Sequence, residues 1–201
     1  MREGDKMSVV LVTCMENFVS MMCDGRLVKF KSDDKSDIEI VDEHIKKIGK
    51  INKNVCIGFG GDALASDRAL KELNNYQVEN LTLERIARII TNKAKEKFEF
   101  LLGVKIIIVG RNRMGKFAVH LIDSNNNFAS EIYVPTGNEV LIKGAFPSNS
   151  DDIVQILDRH LYSTMPWKSI EHLKENMRKC IIDVSKIDKT VNKVIYEEFI
   201  S

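Results

Sequence analysis

The stretch that most constrains the fold of this chain runs from Ser8 to Arg26, SVVLVTCMENFVSMMCDGR. Two apolar runs, Val9 to Val12 and Phe18 to Cys23, flank the polar break at Met15 to Asn17, and this pattern predicts a β-hairpin. Strands that are apolar along nearly their whole length need cover on both faces. We therefore expect the hairpin at the centre of a layered fold and not on a one-sided surface sheet.

The same hairpin would gather polar groups at one end of its sheet. Ser8 lies at the start of the first strand, and Asp24 and Arg26 lie just past the end of the second. Because the ends of a hairpin are neighbours in space, a hydroxyl, a carboxylate and a guanidinium are predicted to lie close together.

The rest of the chain alternates between strand-like and helix-like periods. Apolar runs predict strands at Ile38 to Ile40, Ile45 to Ile51, Val55 to Phe59, Val104 to Val109, Phe117 to Ile122, Phe128 to Val134 and Val140 to Ile142. Three-to-four spacing predicts helices at Ala63 to Tyr76, Thr82 to Leu101, Asp151 to Tyr162 and Ser169 to Val184, with a weaker helical segment at Lys189 to Phe199. This order predicts an α+β fold, a four-layer αββα sandwich of two mainly antiparallel sheets between helix layers.

A glycine-rich segment, Gly58 to Asp62 (GFGGD), joins a predicted strand to a predicted helix. Adjacent glycines at such a junction allow close approach of the backbone and can present N–H groups to an anion or oxyanion. A simple tight turn is the alternative, because GxGG does not have the spacing of the phosphate-binding motifs.

Charge and composition exclude several classes of function. The chain has 201 residues, of which 30 are basic and 29 acidic, so the formal charge of +1 gives no indication of a nucleic-acid or anionic-membrane partner. No apolar run reaches the roughly 20 residues of a membrane span. We expect a cytoplasmic protein whose four cysteines, Cys14, Cys23, Cys56 and Cys180, are buried and reduced, since none has CxxC spacing.

Several motifs in this order resemble the proteasome β-subunit family and its bacterial relative, the peptidase ring of the two-component ATP-dependent protease. Both are N-terminal-nucleophile hydrolases. Asp24-Gly25-Arg26 matches the family's Asp-x-Arg motif, and Lys46-Lys47-Ile48 matches its lysine segment after a longer loop. Ile106 to Gly110, followed by Phe117 to Asp123, is similar to the family's central pair of strands.

The resemblance implies a role for five residues. Counting back from the Asp-x-Arg motif puts the family's nucleophile, normally a threonine, on Ser8, whose free α-amine would serve as the base. By the same resemblance, Lys47 would lower the pKa of the hydroxyl and the amine, Asp24 would hold the lysine, and Arg26 would brace the network. Gly61 would supply the N–H of the oxyanion hole.

The chain also departs from the family. The family's Gly-Ser-Gly segment is Gly144-Ala145-Phe146 here, so a supporting hydroxyl is absent, and the glycines of the family's later Asp-containing motif have no clear counterpart near Asp183. Seven residues precede Ser8. We therefore divide the chain into an N-terminal extension, residues 1–7, and one hydrolase-like domain, residues 8–201.

Two hypotheses follow. The first is a serine-dependent peptidase or amidase that acts on peptide or protein substrates after residues 1–7 are removed. The second is a catalytically silent proteasome-like structural or binding subunit. The resemblance further implies a homo-oligomer and an ATP-driven unfoldase as partner, with neither cofactor nor metal. Apolar residues such as Leu81, Leu83 and Phe100 also indicate oligomerisation, because a monomer is expected to leave them partly exposed.

Overall fold

A computed structural model of the protein describes residues 5–7, 9–31, 37–62, 70–97, 103–147 and 151–201. Ser8 therefore lies outside the described residues, as do residues 63–69 of one predicted helix. All strand pairings among the described residues are antiparallel.

The described strands form a larger and a smaller sheet. The larger sheet contains β1 (Asp5–Met7), β4 (Leu27–Phe30), β5 (Ile38–Asp42), β6 (Ile48–Asn52), β7 (Val55–Asp62), β8 (Lys105–Arg111), β9 (Phe117–Asp123) and β10 (Ala129–Tyr133). Its order is β10-β9-β8-β7-β1-β4-β5, and β6 pairs with β7 as well. The smaller sheet has the order β11-β2-β3-β12, from β2 (Val10–Cys14), β3 (Val19–Asp24), β11 (Leu141–Ala145) and β12 (Ile195–Ile200).

Helices cover the outer face of each sheet. The helices with described bounds are α1 (Leu83–Lys97), α2 (Asp151–Leu157), which continues as a π-helical turn at Asp158–Tyr162, and α3 (Ile170–Ile187). Short 3₁₀ turns lie at Val78–Asn80 and Ser124–Asn126. Thr82 and Ser169 cap α1 and α3, since their hydroxyls accept from the backbone N–H groups of Arg85 and His172.

Three apolar cores separate these four layers. Ile86 and Ile90 of α1 pack with Ile57 and Ile106 of the larger sheet. The second core lies between the two sheets, and the third joins the smaller sheet to α2 and α3. The central hairpin serves both of these cores, because Val10 and Val12 face the larger sheet while Val9 and Leu11 face the helices. The predicted hairpin and the αββα sandwich are therefore confirmed.

The C-terminal segment was predicted wrongly. Lys189 to Phe199 is not a helix, since residues 188–194 form a loop and Ile195–Ile200 form strand β12 beside β3. Alternate residues of β12 face different cores: Tyr196 packs between the sheets, whereas Phe199 packs toward the helices. Pairing with β3 thus overrides the local helical spacing.

The predicted helix at Ala63 to Tyr76 is only partly described. Residues 70–73 are helical, and the helix ends there and not at Tyr76. The segment that leads back to α1 then includes the 3₁₀ turn, and Asn52 fixes it by donating to the carbonyl oxygens of Val78 and Leu81.

Strand β1 completes the larger sheet between β4 and β7. Lys6 pairs with Val28 on one side and Asp62 on the other, and Met7 pairs with Leu27 and Gly61. No other described strand links β4 to β7. Residues 5–7 are therefore an integral strand of the sheet. Without them, β4 and β7 would lose their hydrogen-bonding partner along the edges that face β1.

All four cysteines are free and buried, as the sequence predicted. Burial raises the pKa of Cys14, Cys56 and Cys180 to about 12 and that of Cys23 to about 11. Among the described helices, none is long and apolar enough to cross a membrane.

Candidate active site

The candidate site is centred on an ion pair between Asp24 and Lys47. The Nζ atom of Lys47 lies 2.5 Å from Oδ1 of Asp24, and both side chains have no solvent-exposed area. The same carboxylate oxygen accepts a hydrogen bond of 2.9 Å from the N–H of Val9. The predicted contact between the carboxylate and the lysine is thus present, at the start of β2.

Regular structure brings these two residues together. Asp24 is the last residue of β3, and its other oxygen accepts from the N–H of Arg26 at 2.9 Å. Lys47 immediately precedes β6, and its carbonyl oxygen accepts from the N–H of Phe59 in β7 at 3.1 Å. The smaller sheet therefore supplies the carboxylate and the larger sheet supplies the ammonium.

Burial and charge act on Lys47 in opposite directions. Burial lowers the pKa of Lys47 below its usual value, and this effect exceeds the opposing attraction of Asp24. Cys23 and Arg26 make smaller electrostatic contributions to the same pKa. A buried ammonium that is easier to deprotonate than an ordinary lysine is typical of functional sites, although structural ion pairs are shifted in the same way.

Arg26 supports the site from the side of Glu43, and its guanidinium does not bond to the carboxylate of Asp24. Its guanidinium forms two hydrogen bonds with the carboxylate of Glu43, at 3.0 and 3.1 Å, and a third of 2.6 Å to the carbonyl oxygen of Lys189. Its side chain thus pairs with Glu43, and only its backbone N–H contacts Asp24. Arg26 connects the Asp24 turn to the loop that leads to Lys47.

Asn192 is a central residue that the sequence analysis missed. Its side-chain oxygen accepts from the N–H of Gly25 at 2.9 Å, and its amide nitrogen donates to both the carbonyl oxygen and the carboxylate of Glu43. Its own N–H lies 3.4 Å from Oδ2 of Asp24. No sequence motif indicated this residue, because it lies in the loop before β12, a segment that was predicted to be helical.

Gly61 adopts a backbone conformation that a side chain would disfavour. Its φ is +92°, and a Cβ atom at this position would lie 1.9 Å from the carbonyl oxygen of Gly103. Gly60, its neighbour, packs against the methyl group of Ala145, to which a Cβ on Gly60 would come within 2.3 Å. The expected close approach of backbone at these glycines is therefore present. Ala145 lies beside the strand that carries Gly61.

The residues on either side of Ser8 are both tied to this region. Met7 pairs with Gly61 in β7, and Val9 donates to Asp24. Of the five predicted site residues, the structure brings Asp24, Arg26 and Lys47 into one hydrogen-bonded network, and Gly61 lies two residues beyond Phe59, which contacts Lys47.

Asp183, considered above for the family's later acid, lies elsewhere. Its carboxylate pairs with His160 at 2.7 Å and with Lys186 at 2.5 Å, and both partners hold its pKa below the usual value. The loop that does reach the site contributes Lys189 and Asn192 instead. Within the described part of the chain, no group of His, Cys, Asp and Glu has the arrangement of a metal site.

Comparison with known proteins identifies the family. The family model of the proteasome subunits matches residues 13–196. The chain belongs to the proteasome subunit family. Among solved structures, it is similar to eukaryotic HslV from Trypanosoma brucei, with a TM-score of 0.61 and 15% sequence identity over 96% of this chain and 99% of that one. A search of curated proteins found no match. At this level of identity the likeness to HslV supports the fold of the proteasome subunits.

One physical argument for oligomerisation from the sequence fails for Leu83, which has no exposed area and belongs to the core between α1 and the larger sheet. Leu81 packs against the same core but is only partly buried, as expected. Phe100 lies outside the described residues.

Proposed function

We propose that this protein is a proteasome-like N-terminal-nucleophile hydrolase, a serine-dependent peptidase or amidase that acts once Ser8 becomes the first residue. The fully buried pair of Lys47 and Asp24 carries the proposal, because its carboxylate also binds the N–H of Val9, the residue after Ser8. A buried ion pair is weak as a source of stability, so its place beside the expected nucleophile favours a chemical role.

The proposed reaction uses the hydroxyl and the α-amine of the same residue. The hydroxyl oxygen of Ser8 attacks the carbonyl carbon of the substrate while the α-amine, with an ordinary pKa of about 7.7–8.0, takes its proton. The amine then gives the proton to the leaving nitrogen as the C–N bond breaks, which leaves an ester on Ser8. Water hydrolyses the ester by the same proton transfers in reverse, and the hydroxyl is restored.

Charge and dipoles around the nucleophile would assist both steps. The ammonium of Lys47 favours the deprotonated hydroxyl and the neutral amine, and Asp24 keeps that ammonium in place. The N–H of Gly61 is proposed to face the developing oxyanion, an interaction typically worth about 3–4 kcal/mol in the transition state. Arg26 holds the turn that follows Asp24.

Strand β1 connects activation to substrate binding. Loss of residues 1–7 would free the α-amine of Ser8 and would also remove the only described strand between β4 and β7. Neighbouring strands lie about 4.8 Å apart, so the gap left behind is the width of one extended peptide. A substrate peptide could add there as a strand, with backbone hydrogen bonds to both neighbours.

A second candidate function is a catalytically silent structural or binding subunit. One observation favours it: β1 is paired on both sides in the chain that begins at Met1. The resemblance adds a second ground, because it puts Ala145 where the family has a serine. In this state the nitrogen of Ser8 is an amide, whose lone pair is delocalised and cannot act as a base.

Covalent labelling distinguishes the two candidates. A peptide epoxyketone reacts with a hydroxyl and a free amine on the same residue, and its attachment is read by mass. We expect labelling of a chain that begins at Ser8, prepared by cleavage of an N-terminal fusion, and none of the chain that begins at Met1. Ser8→Ala, which retains both Lys47 and Asp24, is the control and is expected to abolish labelling.

Each result decides a separate point. Labelling of the Met1 form at Ser8 would refute the blocked-amine argument. Failure to label a correctly folded Ser8-start chain would leave the silent subunit as the better function. Mass measurement of the protein from its native host shows whether residues 1–7 are removed in the cell.

Assembly and partners are extensions of the same proposal. Membership of the proteasome subunit family supports a homo-oligomer, and an ATP-driven unfoldase is the partner that the resemblance implies. Light scattering at micromolar concentration over a range of salt tests the first, since a monomeric mass throughout would contradict it. The cytoplasmic location stays a prediction from the sequence.

A further inference from the structure

Residues 43–47 form the link that joins β5 to β6 within the larger sheet and that ends on Lys47. This link has no regular secondary structure, since β5 ends at Asp42 and β6 begins at Ile48. A lysine side chain has four rotatable bonds, and fixing it in one conformation costs conformational entropy. Contacts that fix the link therefore bear directly on the position of the ammonium.

Glu43 fixes the beginning of this link. Its carboxylate accepts two hydrogen bonds from the guanidinium of Arg26, at 3.0 and 3.1 Å, and one of 2.5 Å from the amide of Asn192. Its carbonyl oxygen accepts from the same amide at 2.8 Å. These partners lower the pKa of the Glu43 carboxyl, with Arg26 making the largest contribution.

Asn192 joins three separate segments of the chain. It binds Gly25 in the Asp24 turn, Glu43 at the start of the link, and Val194 within its own loop. The residue is only 7% exposed, and its oxygen and its amide nitrogen are each used twice. An N–H of the link, that of Ile45, donates to the carbonyl oxygen of Gly25 at 2.8 Å, which adds a further tie between the same segments.

We infer that Glu43 and Asn192 are positioning residues, which hold the segment bearing Lys47 against the turn bearing Asp24. Nothing in the sequence motifs assigns them this role, and the inference rests on the proposed function for its catalytic meaning. Neither residue contacts the ammonium. They act by fixing the two backbones from which Lys47 and Asp24 extend.

The consequence for chemistry follows from distance. A reacting group that is misplaced by about 1 Å can cost about 100-fold in rate. Lys47 is bonded to Asp24, and Cys23 and Arg26 also contribute to its electrostatic environment. If the link loosens, Lys47 shifts and water reaches its ammonium.

The first test uses the full chain and needs no activity. The pKa of Lys47 is measured from the chemical shift of its ¹³Cε atom in wild type, Asn192→Ala, Glu43→Ala and Glu198→Ala. Glu198→Ala is the matched control, because it removes the exposed ion pair of the adjacent Lys46. We expect the pKa of Lys47 to rise by about half a unit or more in the two brace variants, as burial is relieved, and to stay unchanged in the control.

The second test uses the chain that begins at Ser8. We expect Asn192→Ala and Glu43→Ala to lower the maximal rate of epoxyketone labelling by at least about 10-fold, with little change in the concentration that gives half-maximal rate. Partial recovery is also expected in Asn192→Gln, which keeps an amide donor and acceptor, and in Glu43→Gln, which keeps the shape of the side chain. These milder variants serve as the test where an alanine variant does not fold.

The outcomes separate the two proposals. An unchanged Lys47 pKa in the folded brace variants would overturn the positioning role, as would labelling within twofold of wild type. Failure of the wild-type Ser8-start chain to react would count against the proposed function alone, and the pKa measurement would still decide whether Glu43 and Asn192 position Lys47.

Discussion

Lys46 and Lys47 are neighbours in the chain, but they lie in opposite environments. Lys46 pairs with Glu198 of β12 at 2.6 Å, with 45% of its side chain exposed, whereas the side chain of Lys47 is fully buried against Asp24. The family motif contains both lysines, so the sequence pattern alone does not separate them. The difference in burial makes Lys46 a matched control for the contribution of Lys47.

Replacement of Lys47 by methionine is expected to destabilise the protein by about 3–5 kcal/mol. Asp24 would keep its backbone N–H donors but lose the buried positive charge, and an unpaired buried charge is strongly unfavourable. Lys46→Met is expected to cost no more than about 1 kcal/mol, as for other exposed pairs. Urea unfolding measures both, and equal losses would contradict the difference in environment.

Glu43 is expected to make stability depend on pH in the acid range. Its pKa is lower in the folded protein than its ordinary value of 4.5, because Arg26 and Asn192 favour the charged form. The stabilisation is therefore complete above pH 4.5 and is lost as the pH falls through the folded pKa. The difference in unfolding free energy between wild type and Glu43→Gln should be constant from about pH 5 to 8 and shrink below that range. A constant difference down to pH 2 would contradict this coupling.

Much of the fold could be predicted because the central hairpin carries an unbroken apolar pattern. Val9 to Val12 and Phe18 to Cys23 permit few alternatives, and the structure places them in the middle of the sandwich. The ion pair of Asp24 and Lys47 was implied by the resemblance to the proteasome family. Asn192 could not be predicted, since it reaches the site through pairing of β12 with β3, a contact between distant parts of the chain. Local periodicity at Lys189 to Phe199 favoured a helix, and long-range pairing decided otherwise.

Removal of residues 1–7 is expected to expose specific backbone groups. Amides at residues 27–29 of β4 and 61–62 of β7 lie opposite β1, whereas residues 55–58 of β7 have β6 and β8 on either side. Hydrogen exchange should therefore accelerate by about 10-fold or more at those amides of the first two sets whose N–H points to β1, and stay slow at the third set. A synthetic peptide of residues 1–7, added in excess, should restore protection. Unchanged exchange at residues 27–29 and 61–62 would contradict the pairing of β1.

Substitution of Gly61 by alanine tests why this position of β7 is a glycine. We expect the close contact with Gly103 to require it in addition to the backbone conformation. The new methyl group would meet the carbonyl oxygen of Gly103 at 1.9 Å and would impose a φ of +92° on a residue with a side chain. We expect a loss of at least about 3 kcal/mol in unfolding free energy, from strain and overpacking together. Gly115→Ala is the matched control, because Gly115 has a φ of +76° with nothing within 4 Å of a Cβ, so it reports the conformational cost alone, about 1–2 kcal/mol. Thermal and urea unfolding of the two variants measure the difference. Equal losses would show that the contact with Gly103 relaxes freely and that the strand bearing Gly61 is not held by it.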